Sequence, residues 1–164
     1  MDNAQKILIM GLPGSGKTWL AERLRKELAS SGLGCAWFNA DQMREMAGDW
    51  QFDENARERQ AERMHNVANF ELRKNRNVIC DFVCPTEMTR DIFDADIVIW
   101  MNTIKEGRFD DTNKMFQEPE DANVIVTEFI QEEDVKEMAD CIKEDCWIEG
   151  SGFYEVDVEE IQNV

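Results

Sequence analysis

The sequence predicts an α/β fold, a parallel β-sheet flanked by helices on both faces with a short lid, and three observations carry that prediction. Short apolar runs of strand character alternate with longer amphipathic stretches along most of the chain. Alternation of this kind sets consecutive strands parallel and covers the sheet with the connecting helices. A glycine-rich stretch, "GLPGSGKT" at 11–18, follows the first apolar run directly and opens the first helical one. The length of 164 residues, 43% of them hydrophobic, suits a single domain with one buried core. Residues 5–130 are read as its body and 131–164 as an acidic helix and tail.

Taken in order, "KILIMG" (6–11) is a short buried strand. Residues 17–31 place Leu20, Leu24 and Leu28 at helical spacing, and Gly32 and Gly34 end that helix. "CAWFNA" (35–40) is the second strand. A long polar helix follows over 53–74, with Asp53 as its N-cap. "NVICDFV" (77–83), "ADIVIWMN" (95–102) and "NVIVTEF" (123–129) are three further strands. Residues 103–121 mix charges with no clean period and are expected to form a mobile lid. From 131 onward an acidic amphipathic helix is expected, and "FYEVDV" after Gly150-Ser151-Gly152 adds an edge strand. Trp19, Trp37 and Trp100 fall in core elements and should pack there. Trp50 lies near the expected acceptor site, where it could stack on a base. His65, the one histidine, is read as structural.

Composition excludes several classes. No apolar run approaches the roughly 20 residues that span a bilayer. The start "MDNAQKILIM" passes almost at once into a strand, without the pattern of a signal peptide, so a cytoplasmic protein is expected. The five cysteines (Cys35, Cys80, Cys84, Cys141, Cys146) form no CxxC pair and are expected to be reduced thiols. The formal charge of -17 disfavours a nucleic-acid partner, although most of the excess lies after residue 130.

The glycine-rich stretch meets the pattern G-x-x-x-x-G-K-[ST] through Gly11, Gly16, Lys17 and Thr18, in strand–loop–helix context. The fold class is therefore of the P-loop NTPase type. Residues Gly11, Leu12, Pro13, Gly14, Ser15, Gly16, Lys17 and Thr18 would cradle the phosphates of ATP with inward-pointing amides. Lys17 would neutralise the β/γ oxygens, and the Thr18 hydroxyl would ligate Mg²⁺. Asp81 is a second expected metal residue, acting through water. No TKxD or DxxG element in suitable context is present, which argues against a GTPase.

The second strand ends in "FNADQMR". Asp41 at its tip can orient a hydroxyl nucleophile and accept its proton. Arg44, one turn on, would clamp an anionic acceptor or the transferring group. Asp41, Lys17 and Arg44 form the expected catalytic set. The long helix then carries Arg57, Gln60 and Arg63 at spacings of three, a basic stripe with an anion to meet; Arg59 lies off it and would pair with neighbouring glutamates. The bland alternative for the stripe is a solvated, salt-bridged face.

Together these segments resemble the adenylylsulfate kinases, whose corresponding stretches read roughly LDGDxxR, GFSxxDRxxNxxR and FISPxxxxR. The resemblance covers about 5–130. It implies ATP-dependent phosphorylation of the ribose 3′-hydroxyl of adenylyl sulfate. It makes Asp41 the acceptor-side carboxylate and Arg44, Arg57 and Arg63 the anion-binding arginines. Phe52 would offer an aromatic face to adenine, Gln60 and Pro85 would join the acceptor side, and Arg90 would follow the third strand. Departures are equally specific. "FNAD" replaces Leu-Asp-Gly-Asp, Gln60 stands where Asn is usual, and "CDFVCP" carries the extra acid Asp81. The lid is shortened to "IKEGRFDDTNKMFQEP", in which Lys105, Arg108, Lys114 and Phe116 would do analogous work.

The leading expectation is a small kinase with ATP and Mg²⁺ as cofactors and a small nucleotide as acceptor, with no membrane partner; a homodimer is allowed. One rival acts on a nucleic-acid hydroxyl, either a polynucleotide 5′-end or a hydroxymethylated base. Another is a non-catalytic ATP-binding regulatory module that presents its acidic C-terminal segment to a partner.

Overall fold

The computed structural model describes residues 3–30 and 32–144, and the backbone of 154–156. Its centre is a six-stranded sheet in the order β2-β3-β1-β4-β5-β6, every neighbouring pair parallel. The strands are β1 (Lys6–Met10), β2 (Cys35–Asn39), β3 (Asn77–Asp81), β4 (Ile97–Met101), β5 (Val124–Val126) and β6 (Tyr154–Val156). The helices are α1 (Lys17–Ala29), α2 (Ala40–Ala47), α3 (Glu54–Arg73), α4 (Glu87–Phe93), α5 (Asp110–Met115) and α6 (Glu132–Glu144).

The period of two along each strand divides the interior into two layers. Ile7, Ile9, Ile79 and Ile99 face α1 and α6, meeting Leu20, Leu24, Leu28, Met138 and Ile142. Leu8, Met10, Val78 and Trp100 face the other way, onto Met64 and Ala68 of α3 and Phe93 of α4. Both faces are thus covered, as the alternation of elements required. The strands β1 to β5 each end one or more residues before the segment expected for them, and the chain turns out of the sheet there. The expected strand at 77–83 stops at Asp81, which leaves Phe82 to Pro85 as a buried loop along the carboxyl edge of the sheet.

Local chemistry sets the helix starts. Asn39 caps α2 by accepting from the amides of Asp41 and Gln42. Asp53 caps α3 by accepting from the Ala56 amide, as expected. Thr86 and Thr89 form a reciprocal capping box at α4, a helix of seven residues that periodicity alone does not announce. Within 103–121 the structure places α5 where no regular element was expected. The Asn113 side chain accepts from the Gly107 amide and donates to the Gly107 carbonyl, which closes the turn before it.

His65 is structural, as expected: Nδ1 lies 2.8 Å from Lys6 Nζ and 3.0 Å from the Phe93 carbonyl. Cys35, Cys80 and Cys84 are free buried thiols, and burial pushes the Cys84 thiol up to about 12. Cys146, the last residues of the expected acidic helix and half of "FYEVDV" lie outside the described residues. Among the described residues no helix is long and apolar enough to cross a membrane.

Candidate active site

The carboxyl ends of β1, β2 and β3 open into a cavity of about 960 Å³. Its donor end is the loop between β1 and α1. A side chain at Gly11 would put its Cβ 2.7 Å from the Met101 carbonyl oxygen, so only glycine lets the loop lie this close to β4. Gly16, in the left-handed region with φ 99°, turns the chain into α1. The amides of the first turn of α1 therefore stand at the loop, where anions are favoured. Lys17 Nζ donates to the Leu12 carbonyl at 3.0 Å, folded back over its own loop. Burial lowers its pKa to about 8, against an opposing pull from Asp81.

Beside Lys17 stands a carboxylate held at both oxygens. Trp37 Nε1 donates to Asp81 Oδ2 at 2.6 Å, and Asn39 Nδ2 donates to Asp81 Oδ1 at 2.9 Å. The same Asn39 amide reaches Thr18 Oγ1 at 3.3 Å. Asp81 is buried, which raises its pKa to about 6, with the Trp37 bond as the main opposing effect. A hydroxyl and a carboxylate joined through one amide make a hard oxygen donor set of the kind Mg²⁺ takes. Among the described residues no group of three His, Cys, Asp or Glu side chains could hold a metal ion unaided. Thr18 and Asp81 fit a cation that draws its remaining ligands from phosphate and water.

The end expected to take the acceptor is built from α2, α3 and the lid segment. Asp41 lies exposed in the first turn of α2. Gln60, buried on α3, donates to the Ala40 carbonyl at 3.0 Å and so fixes the peptide next to Asp41. Arg44 is buried, with Nη1 donating to the Gln51 carbonyl at 2.9 Å and its guanidinium 4.5 Å from the Phe52 ring. Arg57 is buried with its guanidinium 5.2 Å from the same ring, and Nη2 donates to Thr112 Oγ1 at 2.8 Å. Among the described residues neither arginine forms an ion pair with a carboxylate, and Arg57 Nε has no hydrogen-bond partner. Burial, and then the charge of Arg44, lower the Arg57 pKa to about 10. Two guanidinium groups that repel one another across one aromatic ring form a site for an anion.

Of the expected site residues, Pro13, Gly14, Lys17, Thr18, Asp41, Arg44, Phe52, Arg57, Gln60, Asp81, Pro85 and Arg108 line this cavity together. Gly11, Leu12, Ser15 and Gly16 shape the loop behind it. Arg63 does not line the cavity. Its Nε and Nη2 donate to Gln60 Oε1 at 3.0 and 2.7 Å, and Nη1 donates to Asp49 Oδ2 at 2.9 Å. Its geometry is that of a brace for Gln60. Lys105, Lys114 and the exposed Trp50 are also outside the lining. Arg59 pairs with Asp49 at 3.1 Å rather than with neighbouring glutamates. Arg90 donates to the Cys84 and Gln117 carbonyls, buttressing the loop that carries Pro85.

Four residues were missed at the level of sequence. Phe109, exposed and lining the cavity, offers a second aromatic face, and Thr112 anchors Arg57. Trp37 and Asn39 hold Asp81. Pairing of β2 with β3 would have revealed Asn39, since register sets it opposite Asp81; nothing in the sequence marks Trp37 as more than a packed indole.

The sequence profile described as adenylylsulphate kinase matches residues 3–103, well over half of the chain. The chain belongs to the adenylylsulphate kinase family. An adenylyl-sulfate kinase of Aeromonas hydrophila is 32% identical over 109 residues, an alignment covering 64% of this chain and 52% of that protein. The match thus spans about half the length of that relative. Among solved structures, the APS kinase CysC of Mycobacterium tuberculosis in complex with AMPPNP and APS superposes with a TM-score of 0.68. That pair is 16% identical, covering 85% of this chain and 95% of the other. A sugar kinase from Janibacter sp. gives 0.62 at 16% identity, over 87% of this chain and 95% of its own. At such identities the superpositions establish the fold that adenylylsulphate kinases share with this chain.

Proposed function

We propose that the protein is an ATP-dependent kinase that transfers the γ-phosphoryl group to a hydroxyl of a small, anionic, nucleotide-like acceptor, with adenylyl sulfate as the leading candidate. One observation carries this reading. A single cavity is lined by Lys17 and Thr18 of the phosphate loop, by Asp41, and by two guanidinium groups set on Phe52 that have no ion-pair partner among the described residues.

The loop amides and Lys17 would hold the donor phosphates, and Thr18 with Asp81 would hold Mg²⁺ among them. When bound, that ion screens the charge of the phosphate oxygens around the transferred group. Arg44 and Arg57 would take the acceptor's anionic group, and Phe52 and Phe109 would give its base two aromatic faces. Asp41 would accept the hydroxyl proton as the oxygen attacks phosphorus. The new O–P bond forms, the bond from phosphorus to the β-phosphate oxygen breaks, and ADP leaves. Arg108 would face the charge that develops on the transferred oxygens. Catalysis on this reading is positioning and charge stabilisation, without a covalent enzyme intermediate.

The lid segment supports a small acceptor over a polynucleotide. Arg108, Phe109, Asp111, Thr112 and Met115 all line the cavity, and the Arg57–Thr112 bond ties that segment to α3. The test is ATP consumption with Mg²⁺, offering adenylyl sulfate or a 5′-hydroxyl oligonucleotide. Turnover with adenylyl sulfate supports the reading. Turnover confined to the oligonucleotide would keep the chemistry and replace the acceptor.

A further inference from the structure

We propose that Asn39 and Trp37 are positioning residues that aim the Asp81 carboxylate at the cation of the donor complex, β2 providing the grip and β3 the charge. This rests on the kinase reading above and goes beyond it, by assigning a task to two residues outside the expected site set.

The strand register makes the arrangement. Asn39 and Asp81 are directly paired positions at the carboxyl ends of adjacent parallel strands, so their side chains meet without help from any loop. Each carboxylate oxygen receives one N–H, Oδ2 from the indole at 2.6 Å and Oδ1 from the amide at 2.9 Å. Two donors on two oxygens fix the plane of the carboxylate, whereas one would leave it free to rotate. An indole N–H can only donate, so Trp37 cannot compete with the carboxylate for a cation. The second hydrogen of the Asn39 amide points to Thr18 Oγ1 at 3.3 Å, which ties the hydroxyl and the carboxylate to one group. Asn39 Oδ1 meanwhile accepts from the Asp41 amide at 3.0 Å. One side chain therefore links the metal-side oxygens to the helix start that carries the acceptor-side carboxylate. Groups that orient ligating carboxylates in this way typically change metal affinity by about 10–100-fold when removed.

A merely structural role, in which the two donors only satisfy a buried acid, predicts different behaviour from one particular exchange. Asn39→Asp combined with Asp81→Asn keeps the charge, the α2 cap and a hydrogen bond between the two positions, because the new amide on β3 can donate to the new carboxylate on β2. It moves the charge by about one strand spacing, roughly 4.8 Å. The experiment measures Mn²⁺ binding to the protein–AMPPNP complex by the loss of free-ion EPR signal, with metal-free AMPPNP affinity and a melting curve for each variant. Trp37→Phe, which keeps the packing and removes the donor, should bind Mn²⁺ about tenfold more weakly with metal-free AMPPNP affinity unchanged. Asp81→Asn should lose more than that, and the exchanged pair, which keeps the charge but moves it out of the Trp37 grip, should not recover the loss.

Mn²⁺ affinity in Trp37→Phe equal to the unaltered protein's would overturn the proposal. So would an exchanged pair that melts normally and binds Mn²⁺ as tightly as the unaltered protein, because charge without aim would then suffice. If the unaltered protein binds AMPPNP no better with Mn²⁺ than without, the kinase reading fails and this inference fails with it.

Discussion

The donor end of the cavity presents mainly backbone, a loop bent through Gly11, Gly14 and Gly16 onto the first turn of α1. The acceptor end presents side chains drawn from five separate places: α2, the turn at Phe52, α3, the loop at Pro85 and the lid segment. A backbone cradle recognises phosphate whatever the phosphate is attached to. A side-chain pocket changes its preference with one substitution. The acceptor end also holds its groups less economically. Among the described residues Arg44 and Arg57 are buried without an ion-pair partner, while Asp49 draws Arg59 and Arg63 away and lies well below the usual carboxylate range, chiefly through its bond from Arg59. On the proposed reading, phosphate handling resides in the donor end and the choice of acceptor in the other.

Asp41→Asn gives the sharpest break between the two ends. Transfer should fall by about 10²–10⁴-fold, the usual range for a lost general base, with AMPPNP affinity unchanged by calorimetry. Arg57→Lys comes next. A point charge cannot both donate to Thr112 and stack on Phe52 as the planar fork does, so the acceptor KM should rise about 10–100-fold while the ATP KM stays level. Phe109→Ala should raise the acceptor KM by roughly 3–10-fold, the scale of one aromatic contact; an equal rise in ATP KM would place that ring at the donor end instead.

The smallest effect concerns stability. The folded Asp81 carboxyl sits at about 6, above its ordinary 3.8, so the native state binds the proton more tightly than the unfolded chain does. Its stabilising share is complete below pH 3.8 and is lost as pH rises through 6. At neutral pH the buried charge costs up to about 3 kcal/mol. Asp81→Asn loses one acceptor oxygen at any pH, but relative to the unaltered protein it should melt a few degrees higher at pH 7.5 than it does at pH 4.5. A stability gap unchanged between those two pH values would contradict a strained, buried charge at this position.

The donor end was legible because eight adjacent residues determine it. Glycine positions, a lysine and a threonine report the loop with no knowledge of the rest of the fold. The stripe on α3 was legible only in part. Spacing of three placed Arg57, Gln60 and Arg63 on one face, but Arg63 lies one turn past the cavity and turns instead to Asp49, a partner in the loop before α3. The lid shows the opposite failure. Six residues, "DDTNKM", carry no apolar period, yet α5 forms because Asn113 closes its turn and Arg57 reaches Thr112. Phe109 could not be singled out from neighbouring lid residues before that helix was placed. Trp37 was expected to pack, and it does rest against the core, but its indole nitrogen has a second use.

The central claim is that both ends of the cavity act on one hydroxyl. Phosphorus NMR of the products from ATP, Mg²⁺ and adenylyl sulfate tests it most directly. The account predicts a new phosphomonoester on the acceptor, formed mole for mole with ADP, and neither product with Asp41→Asn. ADP released at the same rate with or without adenylyl sulfate, and no new phosphoester, would contradict it.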